Sequence, residues 1–145
     1  HSFGHHSFSH PLLNHMAPEA AMAEIDKGIR ADEAALGATA QAHPTSPFFR
    51  FPGFASTPAL LQRLEARGMV VFGADIWASD WLAQTPEEEL KLVLGRIEKA
   101  DHGILLLHDT RAQTARMLPA LLRELKARGY SIVHVVPAGA GRPRE

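Results

Sequence analysis

The sequence predicts an α/β fold of parallel strands alternating with helices, and three observations lead there. The segment 69–72 is apolar throughout and 103–108 is a continuous apolar run that ends in His108, which suits strands covered on both faces. Between such runs, apolar residues recur at three- and four-residue steps, the spacing of helices with one buried stripe. Arg50, Asp75 and His108 fall at or just after strand ends, where folds of this class gather their reactive groups.

Taken in order, the segment 18–36 reads as a helix. Pro18 suits its first turn, Met22, Ile25 and Ile29 supply an apolar stripe, and Gly37 stops it. A loop rich in Ala, Thr, Ser and Pro follows over 38–47. Phe48 to Phe51 reads as a short strand ended by Pro52-Gly53. Thr57-Pro58 opens a helix with Leu60, Leu61 and Leu64 on one face, closed by Gly68 before the strand 69–72. Thr85-Pro86-Glu87-Glu88-Glu89 combines a cap, a first-turn proline and carboxylates at the positive end of the helix dipole. That helix carries Leu90, Val93, Leu94 and Ile97. After the strand 103–108, a further helix holds Leu118, Leu121, Leu122 and Leu125, with Gly129 as its cap. Pro119 is tolerable there if it lies near the helix start. A last strand is expected at 131–136 and a flexible tail at 138–145.

Composition bounds the function. With 145 residues and 46% hydrophobic side chains, the chain suits one domain. Fifteen basic and sixteen acidic side chains leave a net charge of -1, no electrostatic footprint for nucleic acid. The absence of cysteine excludes disulfides, zinc–thiolate sites and thiol nucleophiles. No stretch reads as a membrane span or a signal peptide. Nine histidines, five of them within the first fifteen residues, point toward chemistry.

His6 and His10 stand four apart, a spacing that brings two imidazoles to one cation on a helical turn or across a tight loop. Neutral imidazole suits zinc, cobalt or nickel, with a third ligand, commonly a carboxylate, from elsewhere. The competing reading is a histidine-rich loop. His108 ends an apolar strand and is placed either to donate a proton to a leaving group or simply to cap the strand. Arg50 lies between phenylalanines, and a guanidinium half-buried there would call for a carboxylate, in a site or in a structural ion pair. Asp80-Trp81 joins an acid able to orient a histidine to an aromatic able to stack on a sugar ring or to pack in a core.

Together these segments resemble the polysaccharide deacetylase (NodB-homology) family. His6-Ser7-Phe8-Ser9-His10-Pro11 is similar to its His-(Ser/Thr)-x-x-His-Pro metal motif, and His1-Ser2-Phe3-Gly4 to the lead-in, which favours His6 over His1 and His5. Arg50-Phe51-Pro52-Gly53 resembles its Arg-x-Pro motif. Asp75 to Trp81 resembles its Asp-Trp motif, and Ile104 to Asp109 its closing Leu-x-His motif. The resemblance runs through residues 1–137 in matching order.

The resemblance implies an incomplete, distorted (β/α) barrel that removes N- or O-acetyl groups from polysaccharides. His6 and His10 would hold a divalent metal, zinc first and cobalt or nickel next, that polarises the acetyl carbonyl. The backbone N–H of Gly53 would help stabilise the oxyanion. His108 would protonate the leaving amine, tuned by Asp80, while Arg50 orients the catalytic base. Leu106 and Trp81 would line the groove for the acetyl methyl. The implied partner is an acetylated amino-sugar polymer or oligomer, a substrate that would suit a periplasmic or secreted full-length enzyme, while the sequence itself leaves the compartment open.

Two departures qualify this. The family's Thr-Phe-Asp-Asp-Gly motif, whose aspartates act as base and third metal ligand, is not in the sequence. Four residues separate Asp75 from Asp80, where many members have two. The chain is therefore expected to be the C-terminal part of a deacetylase domain, with weak metal binding and little or no catalysis. Its alternatives are a catalytically silent carbohydrate-binding domain and a plain metal-binding module. An unpartnered sheet edge would favour self-association.

Overall fold

The computed structural model describes residues 1–37 and 46–137. Most of the loop expected at 38–47 and the whole tail at 138–145 lie outside them. The chain forms two compact units, residues 1–72 with the segment from His134 onward, and residues 73–133.

In the first unit, α1 (Pro18–Ala35) begins with a proline and Glu19 in its first turn, and buries Ala21, Ile25, Gly28 and Ile29. Strand β1 (Phe48–Phe49) pairs in parallel with β2 (Val70–Val71), Phe48 opposite Val70 and Phe49 opposite Val71. His5 extends the ladder by a bridge to Phe49. Its N–H donates to Phe48 O at 2.7 Å and its carbonyl accepts from Arg50 N at 3.0 Å. Between the strands, α2 (Pro58–Glu65) starts where the Thr57 hydroxyl accepts the Leu60 N–H. Leu13, Ile25, Phe49, Phe51, Leu60, Leu64 and Met69 form one core. Leu61, expected on the buried face, is exposed, because Leu60 and Leu64 already fill the narrow stripe of this eight-residue helix.

The second unit contains a strand that the sequence reading did not identify. Strand β3 (Ile76–Trp77) pairs in parallel with β4 (Leu105–Leu106). Helix α3 (Pro86–Ala100) opens with a capping box, in which Thr85 Oγ1 accepts the Glu88 N–H and the Glu88 carboxylate accepts the Thr85 N–H. Helix α4 (Ala112–Ala127) packs on it, and Ile76, Val93, Leu94, Ile97, Met117, Leu121 and Leu125 close a second core. The buried stripe of α4 runs through Thr114, Met117, Leu121 and Leu125, so of the four leucines noted in the sequence Leu118 and Leu122 face outward. Pro119 lies in the interior of α4 rather than near its start. The helix continues past the missing N–H because its buried stripe anchors both halves.

Helices thus alternate with parallel strands as the sequence reads. Among the described residues the strands form two two-stranded sheets, which do not by themselves show the expected barrel. The strand expected at 131–136 does not form among the described residues, where Ile132 is 68% and Val133 76% exposed. An apolar run becomes a strand only beside an edge that accepts its ladder. We expect this face to drive self-association. Sedimentation velocity should show concentration-dependent oligomers that Val133→Lys reduces, whereas a monodisperse monomer would count against the expectation. Among the described residues, no helix is long and apolar enough to cross a membrane.

Candidate active site

In the first unit, His6 and His10 lie in a bent loop rather than on a helical turn. Their rings are neighbours, with centroids 4.9 Å apart and planes at 60°. His6 Nδ1–H donates to the Arg50 carbonyl at 2.5 Å. A ring N–H held by a carbonyl fixes the tautomer and leaves the lone pair on Nε2, the usual arrangement behind a metal-ligating imidazole. His10 has φ 60, a left-handed conformation that only a few per cent of non-glycine residues adopt. The Ser7 hydroxyl accepts its N–H at 3.1 Å. Strain of this kind clusters at functional sites.

The loop is clamped to α1. Ser9 donates its N–H and its hydroxyl to Glu24 Oε1, at 2.5 and 2.8 Å. The Ser9 N–H, followed by the hydroxyl, holds the Glu24 carboxyl below its ordinary range. Lys27 sits over the Phe8 ring at 3.8 Å from its centroid. Gly28 is placed so that an added Cβ would meet backbone atoms of Ser7 and Phe8 at 2.8–3.1 Å. Glu19 is turned to Arg63 at 2.9 Å. The two acids nearest in sequence to the histidine pair are therefore both engaged in holding the scaffold. His5 is buried and tied to Asp32 at 2.8 Å, which separates it from the neighbouring pair. Among the described residues, no three His, Asp or Glu side chains converge on one point. The fit is to a two-histidine half-site.

Arg50 is half-buried, and burial lowers its guanidinium pKa. It stays a cation at any working pH. Gly53 has φ 55 within the 3₁₀ turn Pro52–Phe54, a conformation that the absence of a Cβ makes inexpensive.

The second unit holds the Asp80–His108 pair. Asp80 is wholly buried. Its Oδ1 accepts His108 Nδ1–H at 2.7 Å and its Oδ2 accepts the His108 backbone N–H at 2.6 Å. The Thr114 hydroxyl lies 3.1 Å from Asp80 Oδ2 and 2.9 Å from Oε1 of Glu89. Burial works to raise the Asp80 carboxyl. The His108 hydrogen bonds, the His108 charge and Thr114 outweigh it and hold Asp80 below its ordinary value. A carboxylate that binds Nδ1–H directs Nε2 outward, and the His108 side chain is 41% exposed. The turn is built for this. Ser79 takes φ 56, its hydroxyl accepts from Arg96 at 2.8 Å, and Gln113 donates to the Asp80 carbonyl at 2.8 Å.

Trp81 is exposed, its ring centroid 6.2 Å from that of His108 and 6.0 Å from that of Trp77. Leu106 is buried opposite Trp77 in the β3–β4 register, on the sheet face away from Leu105, which packs on the helix core. Asp75 has a structural task. Its Oδ2 accepts the Ile104 N–H at 2.7 Å, and Gly103 leaves room for it.

Three residues escaped the sequence reading. Glu89 was read only as one of the first-turn carboxylates at the positive end of the helix dipole, yet it is fully buried. Its four-residue spacing to Val93 and Ile97 places it on the core stripe and could have revealed it. Thr114 precedes Met117 and Leu121 on the stripe of α4 in the same way. Gly28 lies beside Ile25 and Ile29, where a glycine within a helix costs propensity and so signals a close approach.

No protein-family model matches the chain. Solved structures do. A Bdellovibrio bacteriovorus peptidoglycan deacetylase is similar with 32% identity and a TM-score of 0.83, over 97% of this chain and 38% of that one. The catalytic domain of a peptidoglycan N-acetylglucosamine deacetylase from Eubacterium rectale matches at 17% identity and TM-score 0.78, over 94% and 66%. A carbohydrate esterase family 4 (CE4) pseudoenzyme from Bacillus anthracis matches at 22% and 0.73, over 88% and 42%. The chain thus spans between 38% and 66% of the length of these structures. By fold, this chain is a relative of the polysaccharide (NodB-type) deacetylases of carbohydrate esterase family 4.

Proposed function

We propose that the chain supplies part of the site of a metal-dependent deacetylase that hydrolyses the amide of N-acetylated, or the ester of O-acetylated, sugars in a polymer such as peptidoglycan. The observation that carries the reading is the buried Asp80 carboxylate gripping both the ring and the backbone N–H of His108, beside an exposed tryptophan. In the proposed reaction, His108 Nε2 protonates the leaving nitrogen while Asp80 keeps Nδ1 protonated and compensates the imidazolium. Trp81 stacks on the sugar face, and Leu106 limits the groove for the acetyl methyl. Arg50 orients the base, and the Gly53 N–H faces the developing oxyanion. His6 and His10 would hold a divalent cation, zinc by preference and cobalt or nickel as alternatives, which would supply Lewis-acid polarisation of the carbonyl.

Two histidines without a third convergent ligand among the described residues favour a second reading, that the chain is a silent carbohydrate-binding or metal-binding module. One comparison separates the two. The chain joined to an upstream segment bearing the Thr-Phe-Asp-Asp-Gly motif is expected to release acetate from N-acetylglucosamine oligomers. A chelator should abolish the release, and zinc or cobalt should restore it. Zinc binding without any acetate release would establish the silent reading instead.

A further inference from the structure

The contact between Glu89 and the Asp80–His108 pair has a proton count that determines its charge state. Thr114 has one hydroxyl proton and stands between two buried carboxyl groups, 2.9 Å from Glu89 Oε1 and 3.1 Å from Asp80 Oδ2. Were both groups ionised, one of those contacts would oppose two lone pairs in a place that water does not reach. Asp80 already accepts two N–H bonds from His108, so it is the group equipped to be the anion. Glu89 Oε2 is buried without a hydrogen-bond partner among the described residues, which a neutral acid tolerates far better than a carboxylate. A proton on Glu89 Oε1 satisfies every contact. Glu89 O–H donates to Thr114 Oγ1, Thr114 O–H donates to Asp80 Oδ2, and His108 Nδ1–H donates to Asp80 Oδ1.

We propose that Glu89 is a positioning residue, a neutral carboxylic acid that donates through Thr114 to Asp80 and so helps fix Asp80 as the anion that orients His108. The groups packed around Glu89 agree with this. Asp80, from the turn after β3, presents a negative charge, and α4 contributes the Thr114 hydroxyl. His108 beyond β4 is turned to Asp80, and on α3 itself Glu88 is turned back to Thr85. Burial, opposed by the Thr114 hydrogen bond and reinforced by the Asp80 charge, moves the Glu89 carboxyl upward. The meaning of this relay for catalysis rests on the acid role proposed for His108, but its test does not.

The test follows the carbon-13-labelled Glu89 carboxyl and the His108 ring by NMR across pH, in the chain and in Glu89→Gln. We expect Glu89 to titrate above the ordinary value of about 4.3, in the direction that its burial and the Asp80 charge give it. In Glu89→Gln, which keeps a donor to Thr114, the His108 ring signals should follow the same pH profile as in the unsubstituted chain. A Glu89 midpoint at or below its ordinary value would overturn the proposal. So would a fall of about one unit or more in the His108 pKa of Glu89→Gln, since that fall would report the loss of a negative charge. If Glu89→Gln does not fold, the Glu89 titration in the unsubstituted chain decides alone.

Discussion

Asp80→Ala is expected to destabilise the chain by about 2–4 kcal/mol, short of the full cost of breaking a wholly buried pair because His108 reaches solvent. The substitution empties a fully buried position and removes the acceptor for the His108 ring N–H, the His108 backbone N–H and the Thr114 hydroxyl. Asp80→Asn isolates the chemical part. The amide has one accepting oxygen where two N–H donors approach, so its NH₂ must meet one of them. Meeting Nδ1 forces the proton onto Nε2, the wrong tautomer for an acid–base nitrogen whose Nδ1 must be held protonated. The expected signature is a fall in kcat of about 10²–10⁴-fold for Asp80→Asn in the active fusion, with KM and zinc affinity retained. Urea titration checks the stability arm, which would fail if Asp80→Ala kept the midpoint of the unsubstituted chain.

The two carboxyls of this network should also oppose each other in their pH dependence. Asp80 is depressed in the folded chain, so its stabilisation is complete above the ordinary carboxylate pKa of about 4 and is lost as pH falls through the depressed value. Glu89 is raised, so its contribution is complete below the ordinary range and is lost as pH rises through its elevated folded value. Glu89→Gln should therefore flatten the decline in stability on the neutral side and leave the acid side in place. Melting curves across pH would show this.

Gly28→Ala carries the second large effect, and its sign distinguishes local propensity from packing. Replacing a helix-interior glycine with alanine ordinarily gains about 1 kcal/mol. Here the new Cβ would meet Ser7 C at 2.8 Å, Phe8 N at 3.0 Å and Ser7 Cα at 3.1 Å. All three are backbone atoms, and the segment that must yield is the loop between His6 and His10. Relief of such overpacking costs about 1–3 kcal/mol. The expected net result is a lower melting temperature and weaker zinc binding by calorimetry, because the displaced loop carries both ligands. A raised melting temperature with unchanged zinc affinity would show that the clamp between α1 and this loop does not hold the histidine pair.

What could be read from the sequence follows the physics of each feature. The parallel α/β pattern was legible because fully apolar runs and amphipathic spacing are local signals. The nearness of His6 to His10 and the pairing of Asp80 with His108 could be anticipated because short spacings and ordered motifs carry them. The strand Ile76–Trp77 could not, because two residues beside Leu105–Leu106 are a property of pairing rather than of composition. The segment 131–136 misled in the opposite sense. Its residues suit a strand, but the described residues give it no ladder. Leu118 and Leu122 show that a leucine-rich helix does not reveal which leucines are buried until a second helix selects Met117, Leu121 and Leu125. Glu89 was obscured by chemistry, since a carboxylate in a first helical turn ordinarily faces water.

The proposal that His108 serves as the acid of a deacetylation reaction is tested most directly by one comparison. It is acetate release from N-acetylglucosamine oligomers by the chain joined to an aspartate-bearing upstream segment, with zinc, against the same protein carrying His108→Ala. The account predicts metal-dependent release that falls about 10²–10⁴-fold in kcat on His108→Ala while zinc affinity is retained. Release unaffected by that substitution would contradict it.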